Sequence, residues 1–261
     1  DAKEIIFTSG ATEADNLAIK GVYEMYARKG NHIITLETEH KAVLDTCKKL
    51  EKMGAEVTYL KVDRLGRVDL NELEAAIKDN TILVSIMWAN NETGVIQDMK
   101  AIGEICNRKG VLLMSDATQA VGKIPTFPKE VGIHLMAFTS HKMYGPKGVG
   151  ALFVNRKNPR VKVTAQMDGG GHERGMRSGT LNVPGIVGFG KAAELAQKEM
   201  AEEAQRLSVL RDKLEKALCE SLEETYINGD VENRIPHVTN ISVNHAYEEG
   251  LLKTFNQEIG V

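Results

Sequence analysis

Short strand-like segments alternate with helix-like segments along the first half of the chain, and this alternation limits the fold more than any other feature. Strands separated by helices pair in parallel, because each helix carries the chain back across one face of the sheet. The sequence therefore predicts an α/β fold built on a mainly parallel sheet. The predicted strands are Glu4–Phe7, His32–Leu36, Glu56–Val62, Ile82–Met87 and Val111–Met114, and the predicted helices are Glu13–Arg28, Ala42–Met53, Asp69–Lys78 and Lys100–Arg108.

The pattern changes after Pro184, where apolar residues begin to recur at helical spacing with charged residues between them. This is typical of a long amphipathic helix, and we expect it to lead into a second, smaller α+β domain. The predicted division is a large domain over residues 1–200 and the start of a small domain over residues 201–261. Further predicted elements are strands at Tyr226–Asn228 and Val238–Val243 and a helix at Glu248–Glu258.

Composition excludes several classes of protein. The net charge of −3 gives no basic surface for nucleic acid, and the longest apolar runs are too short to span a bilayer. Cys47, Cys106 and Cys219 form no CxxC pair; we expect small, semi-buried helical side chains in a reducing compartment, the cytoplasm. The chain starts without methionine and shows no signal peptide, so we interpret it as an excerpt of a longer protein.

Ligands of parallel sheets bind where strands end, and two candidate segments follow predicted strands closely. Thr8–Glu13 combines a small-residue turn with a helix start, which suits an anion such as phosphate; the simpler interpretation is an ordinary helix cap, and Thr12 with Asp15 fits the capping pattern. His141 and Lys142 follow another strand-like stretch and precede a Gly-Pro turn. Lys142 is a candidate Schiff-base lysine, although surface lysines are commoner.

Two further segments place polar side chains after buried strands. Asn90 and Asn91 follow Ile82–Met87 and suit hydrogen bonding to a polar ligand, or form a simple turn. Asp116 follows Val111–Met114, where an acid is costly unless it is paired; a cationic ligand atom would pair with it, and capping of the next helix is the alternative. Together, a phosphate anchor, an acid, amides and a reactive lysine match the needs of pyridoxal phosphate.

Several motifs carry a resemblance to a known family. SGATEADNLAIKG, TEHKAVLDTC, NNETG, DATQAVGK, SHKMYGPKG and GGGHERGMRSGT occur in this order along essentially the whole chain. Together they resemble the cysteine desulfurases, within the class V aminotransferases, and NNETG and GMRSGT favour the branch that supplies sulfur for iron–sulfur clusters. The resemblance implies the fold-type-I architecture of pyridoxal-phosphate transferases, with a seven-stranded sheet, in a homodimer.

The resemblance also implies roles for individual residues around the cofactor ring. Lys142 would hold pyridoxal 5'-phosphate covalently, Asp116 would pair with the pyridine nitrogen, and Gln119 would bond the phenolic oxygen. His40 would stack on the ring and assist proton transfer, and Asn91 would contact the cofactor and the substrate carboxylate. The implied phosphate contacts are Ala11, Thr12, Thr139, Ser140 and His141, with Thr180 reaching the phosphate of the neighbouring subunit.

The implied reaction converts L-cysteine to L-alanine. A cysteine on a mobile loop attacks the substrate sulfur, becomes a persulfide and passes the sulfur to an acceptor or iron–sulfur scaffold protein. We expect that cysteine, and an arginine for the substrate carboxylate, to lie beyond Val261, so that residues 1–261 alone are inactive. The alternatives are a selenocysteine lyase, another class V aminotransferase, or a sulfur-relay scaffold without chemistry. We expect no metal.

Overall fold

A seven-stranded sheet forms the centre of the protein. The structure, a computed structural model, describes residues 1–244. The sheet order is β1-β7-β6-β5-β4-β2-β3. Neighbours among β2 to β6 pair in parallel, whereas β7 pairs antiparallel with both β1 and β6. The strands are β1 (Ile5–Thr8), β2 (His32–Leu36), β3 (Glu56–Leu60), β4 (Thr81–Ser85), β5 (Leu112–Asp116), β6 (Leu135–Thr139) and β7 (Gly150–Val154).

The predicted mainly parallel α/β fold is confirmed, with element ends that differ from the predicted ones by a few residues. Four helices connect the strands, and all residues of β2, β4 and β5 are buried, as expected for strands covered on both faces. The helices are α1 (Ala11–Met25), α2 (Lys41–Glu51), α3 (Leu70–Ala76) and α4 (Met99–Lys109).

Helices cover the sheet on both sides. Alternate residues of each strand point to opposite faces, and the core divides accordingly. One half joins α1 and α2 to side chains such as Ile33, Leu83 and Met114. The other half joins α3 and α4 to side chains such as Ile34 and Leu113. The sheet therefore lies between two helical layers, and its strand ends are left free at the edges.

A long helix follows the sheet, as the apolar spacing predicts. This helix, α5 (Val183–Ser221), starts at an Asn182 cap whose side chain accepts from the N–H of Gly185 at 3.1 Å. It passes through position 200 without a break, so the predicted domain boundary there stays a prediction. Beyond it, β8 (Thr225–Ile227) and β9 (Ile241–Val243) form a small antiparallel sheet. The helix predicted at Glu248–Glu258 lies outside the described residues.

The predicted cap at the start of α1 is wrong. Gly10 occupies the N-cap position without a side-chain hydrogen bond, and α1 begins at Ala11. Asp15 therefore lies four residues inside the helix and three before Ala18, on the face that packs against the sheet. Its side chain is fully buried, with 0% exposure. The start of α1 is thus open, while an acid is placed in the core.

A matched pair of glycine substitutions tests the packing of the outer layer. Gly103 of α4 lies so close to the loop before β6 that an added Cβ would stand 1.8 Å from the Val131 carbonyl oxygen. Gly103→Ala should therefore destabilise the protein by about 1–3 kcal/mol, because the helix must move away. Gly190→Ala in α5, where an added Cβ meets nothing within 4 Å, should instead stabilise by about 0.5–1 kcal/mol. Urea unfolding of the full-length variants measures both changes in the free energy of unfolding. Two changes of the same sign would contradict the described packing.

Candidate active site

Five loops meet at one edge of the sheet. The strands β2, β4, β5 and β6 run in the same direction, and β1 shares it because two antiparallel pairings separate β1 from β6. A cavity of about 550 Å³ opens where these strands end. Its lining residues are Ser9, Gly10, Ala11, Thr12, Glu13, His40, Met87, Ala89, Asn91, Asp116, Thr118, Gln119, Thr139, His141, Lys142, Lys147 and Gly148.

One end of the cavity is suited to an anion. The uncapped start of α1 presents the N–H groups of its first turn and the positive end of the helix dipole. The hydroxyl of Thr139 lies nearby, 4.0 Å from the position that a Cβ on Gly10 would take. This hydroxyl donates to the Val149 carbonyl at 3.2 Å and lies 3.1 Å from Nδ1 of His141. Backbone donors, a hydroxyl and an imidazole therefore converge on one position.

His141 is held neutral at this end of the cavity. Partial burial lowers its pKa, and the neighbouring positive charges of Lys142 and Lys147 lower it further. The two lysines supply the cationic charge that an anion needs, and both line the cavity. His141 then contributes hydrogen bonding rather than charge.

A partly buried ion pair fixes the GMRSGT segment against this end. The Arg177 guanidinium contacts the Glu13 carboxylate at 2.7 and 3.2 Å. The same carboxylate accepts from the Ser9 N–H at 2.7 Å. Burial raises the pKa of Glu13, but the bonds from Arg177 and Ser9 outweigh it, so that the pKa falls below its usual value. Glu13 is therefore ionised and its charge is matched by Arg177, which keeps it from repelling an anion at the start of α1.

A buried acid, Asp116, also lines the cavity. It is the last residue of β5 and is only 5% exposed. Its Oδ1 accepts from the Thr118 N–H at 2.9 Å. Burial raises its pKa, while Thr118 and the nearby His40 lower it in part. A cationic atom in the cavity would relieve the cost of burying this charge.

His40 and Lys142 both line the cavity and come from different elements. His40 is the N-cap of α2, and its Nδ1 accepts from the Ala42 N–H at 3.1 Å. This bond leaves the proton of a neutral imidazole on Nε2. Lys142 lies in the short 3₁₀ turn Ser140–Met143, directly after β6. That turn closes through Tyr144, whose backbone is left-handed with φ 64°.

The two adjacent asparagines have different tasks. The Oδ1 of Asn90 accepts from the N–H groups of Glu92 and Thr93, at 2.9 Å each, and its amide donates to the Thr38 carbonyl at 3.1 Å. Asn90 thus organises the turn, which the sequence left open as an alternative. Asn91 lines the cavity instead and is available to a ligand.

The structure gathers most of the predicted site residues and leaves two apart. Ser140 is fully buried and does not line the cavity; its Oγ lies near Gly145, where an added Cβ would stand 2.1 Å away. Thr180 is exposed and lies outside the cavity, and its predicted contact with a neighbouring subunit stays a prediction. Sequence reasoning assigned no role to Glu13, Thr118 and Lys147, although all three stand within the recognised motifs.

The profile of the aminotransferase class-V family matches residues 1–261. The chain belongs to this family. It is 57% identical over 252 residues to the cysteine desulfurase IscS of Pectobacterium atrosepticum, covering 97% of this chain and 62% of that protein. The chain thus spans less than two thirds of the length of that curated relative.

Solved structures of related proteins share the fold of this class V aminotransferase. A NifS-like protein superposes with a TM-score of 0.93 at 39% identity, over 100% of this chain and 70% of the other. The structure titled SspA in complex with cysteine superposes with a TM-score of 0.83 at 33% identity, over 99% of this chain and 70% of the other. These matches confirm the expected architecture of the sheet and its helices.

Family membership implies pyridoxal 5'-phosphate as the cofactor, and the residues of the cavity fit this group. The open start of α1 with Thr139 suits the phosphate, and the buried carboxyl of Asp116 suits a protonated ring nitrogen. The amine of Lys142 lines the same cavity and suits the aldehyde. An anion site, a buried acid and a primary amine within one cavity match the three functional groups of the cofactor.

The Thr139 hydroxyl offers a direct test of the anion end. Thr139→Val removes the hydroxyl and keeps the side-chain shape. It should weaken binding of pyridoxal phosphate by about tenfold or more, because in the loaded protein the hydroxyl would donate to the phosphate in place of the Val149 carbonyl. Thr139→Ser keeps the hydroxyl and should bind within about threefold of the unchanged protein. Fluorescence titration of cofactor-free, full-length protein measures both. Equal affinity of the valine variant would place the phosphate elsewhere.

Proposed function

We propose that the protein is a pyridoxal-phosphate-dependent cysteine desulfurase, which acts in its full-length form. L-cysteine and an enzyme thiol give L-alanine and an enzyme persulfide, so that one sulfur atom moves and no external oxidant is needed. The observation that carries the proposal is the single cavity that contains the open start of α1, the buried Asp116 and the Lys142 amine. The name of the IscS relative and the cysteine in the SspA title support this choice of substrate.

The residues of the cavity divide the work of the reaction. The bound cofactor supplies an aldehyde for the substrate amine and a ring that takes up electrons when the Cα proton leaves. Asp116 keeps a positive charge on the ring nitrogen favourable, because its buried carboxylate gains from a cationic partner. The Lys142 amine would attach the cofactor and could afterwards hold the proton released from Cα.

His40 and Asn91 position the reacting groups. The cap bond to Ala42 fixes the imidazole of His40 at the cavity wall and leaves Nε2–H as its donor. The Nε2–H can donate to a group of the substrate, which suits the predicted role in proton transfer. The Asn91 amide, free of the turn bonds made by Asn90, can donate to the substrate carboxylate or to the ring oxygen.

None of the three cysteines suits the role of sulfur acceptor. Cys47 and Cys106 have 0% exposure, and burial raises the pKa of each thiol to about 12, so that neither forms the reactive thiolate. Cys219 is exposed rather than semi-buried, but it lies in α5, away from the cavity. We therefore assign the nucleophile to a part of the protein outside residues 1–261.

The competing functions leave different traces. A selenocysteine lyase or another class V aminotransferase would use the same cavity, and the products formed from cysteine and from selenocysteine separate these activities. A sulfur-relay scaffold would keep the fold without the chemistry. The combination of Lys142, Asp116 and His40 around one cavity favours an enzyme, and a yellow colour of the purified full-length protein would exclude the scaffold.

Partners and compartment follow from the same proposal. We propose a homodimer in which Thr180 serves the cofactor of the neighbouring subunit, because Thr180 is exposed and outside its own cavity. The sulfur would pass to an acceptor or scaffold protein of iron–sulfur assembly.

The described cysteines are all free thiols, which fits a reducing compartment, the cytoplasm. Within residues 1–244, no helix is long and apolar enough to cross a membrane.

Covalent attachment at Lys142 can be tested by chemical trapping. Borohydride reduction of the cofactor-loaded, full-length protein followed by peptide mapping should place the label on Lys142. Lys142→Ala should abolish the label, since it removes the amine, whereas Lys147→Ala should retain it while weakening cofactor binding. A label on any other lysine of the unchanged protein would refute the assignment.

The cysteine assignment predicts that the three cysteines of this chain are dispensable. Full-length Cys47→Ala, Cys106→Ala and Cys219→Ala should each form alanine and persulfide within about threefold of the unchanged protein, because none supplies a reactive thiolate at the cavity. Residues 1–261 alone, loaded with cofactor, should form neither product. Loss of persulfide in one variant with intact cofactor binding would identify that cysteine as the nucleophile.

A further inference from the structure

Three carboxyl groups are buried together behind the cavity. Asp15 lies in α1 and has 0% exposure, Glu39 follows β2 with 5%, and Asp116 ends β5 with 5%. All three come from different elements, so the cluster forms only in the folded protein. Only Asp116 lines the proposed cofactor cavity. Asp15 lies in the interior, and Glu39, although 5% exposed, borders a second cavity.

The three side chains share one face of the sheet. Strand alternation places Asp116 on the same face as Met114, which packs against α1 and α2. Asp15 belongs to α1 itself. The Glu39 carboxyl reaches the Met87 N–H at 2.7 Å, just beyond the end of β4. The space between the sheet and these two helices therefore holds a group of acids within an otherwise apolar core.

Hydrogen-bond partners are scarce in this space. Among the described residues, neither carboxyl oxygen of Asp15 has a partner, and Glu39 bonds only through Oε1, so that its Oε2 has none. The neighbouring Ser85 hydroxyl also lacks a partner. Asp116 differs, because it accepts from the Thr118 N–H and reaches the cavity.

The surrounding charges separate Asp116 from the other two acids. The negative charges of Asp116 and Glu39 raise the pKa of Asp15, and the negative charge of Asp116 raises the pKa of Glu39. The Cys47 thiol on α2 also lies close enough to respond to Glu39. Within residues 1–244, the positive charge that lowers a pKa in this group is that of His40, which acts on Asp116.

Burial without a partner favours the neutral form of an acid. An unpaired carboxylate in a low-dielectric interior takes up a proton rather than remain charged, and acids that share such a space do not all ionise. Burial accordingly raises the pKa values of Asp15 and Glu39 well above their usual range, and the neighbouring acids raise them further. The Met87 N–H offsets only part of this effect at Glu39.

We propose that Asp15 and Glu39 are positioning residues that stay protonated and so confine the negative charge of this cluster to Asp116. The inference rests on the proposed pairing of Asp116 with the cofactor ring, which it deepens. If Asp15 or Glu39 carried a charge, Asp116 would take up the proton instead and lose its attraction for a protonated ring nitrogen. As neutral acids, the two supply polar neighbours to the Asp116 carboxylate without competing for the cation.

Infrared spectroscopy tests the protonation directly. Cofactor-free, full-length protein at neutral pH should show absorption of protonated carboxylic acids. Asp15→Asn and Glu39→Gln should each remove one component of this absorption. Asp45→Asn, at a carboxyl of α2 with 68% side-chain exposure, should leave it unchanged. Absence of the absorption in the unchanged protein, or its persistence in both variants, would overturn the proposal whatever reaction the enzyme catalyses.

Cofactor affinity tests whether the two acids act through Asp116. Asp15→Asn replaces one neutral polar group by another and should bind pyridoxal phosphate within about twofold of the unchanged protein. Asp15→Leu makes the space around Asp116 more apolar, which disfavours its ionised form, and should bind about tenfold more weakly, the equivalent of one pKa unit. Asp45→Asn again serves as control, and thermal unfolding checks that each variant folds.

If Asp15→Asn and Asp15→Leu weaken cofactor binding equally, the carboxylate itself is needed. If Asp15→Leu does not weaken cofactor binding, Asp15 has only a packing role. Either result overturns the proposal. Trapping at Lys142 and the alanine assay are independent of these measurements. Failure of the proposed desulfurase function is therefore distinguishable from failure of the carboxyl cluster.

Discussion

The site depends on the antiparallel strand β7, which joins β1 to β6. Gly150, the first residue of β7, lies against Gly10. A Cβ added to Gly150 would stand 2.6 Å from the Gly10 carbonyl carbon. This approach brings the start of α1 next to the end of β6, and with it Thr139 and Lys142. Without that contact, the start of α1 and the Lys142 amine would belong to separate loops. One glycine-to-glycine contact therefore assembles the two halves of the cavity.

Much of this arrangement could be predicted from the sequence. The alternation of strands and helices gives the parallel sheet, and a parallel sheet collects its strand ends at one edge. Polar residues that follow buried strands, such as Asp116 and Asn91, are therefore close in space although they are distant in sequence. The position of His40 and Lys142 at the same cavity follows from the same rule, because each lies within a few residues of a strand end.

The remaining features arise from contacts that no local pattern records. Asp15 fits a helix cap in the sequence, yet α1 starts at Ala11 and turns Asp15 into the core. Ser140 stands between two residues of the site, but the tight turn after β6 points it away from the cavity. Asn90 and Asn91 are alike in sequence, and only the turn geometry distinguishes the organising amide from the free one.

The cap formed by His40 links the imidazole to the backbone of α2. Because Nδ1 accepts the Ala42 N–H, a proton that arrives at Nδ1 must displace this bond and release the amide to solvent. The first turn of α2 would then lose about 0.5–2 kcal/mol of capping energy. Hydrogen exchange at the Ala42 amide therefore reports the protonation of His40, and any step that charges the imidazole loosens the helix behind it.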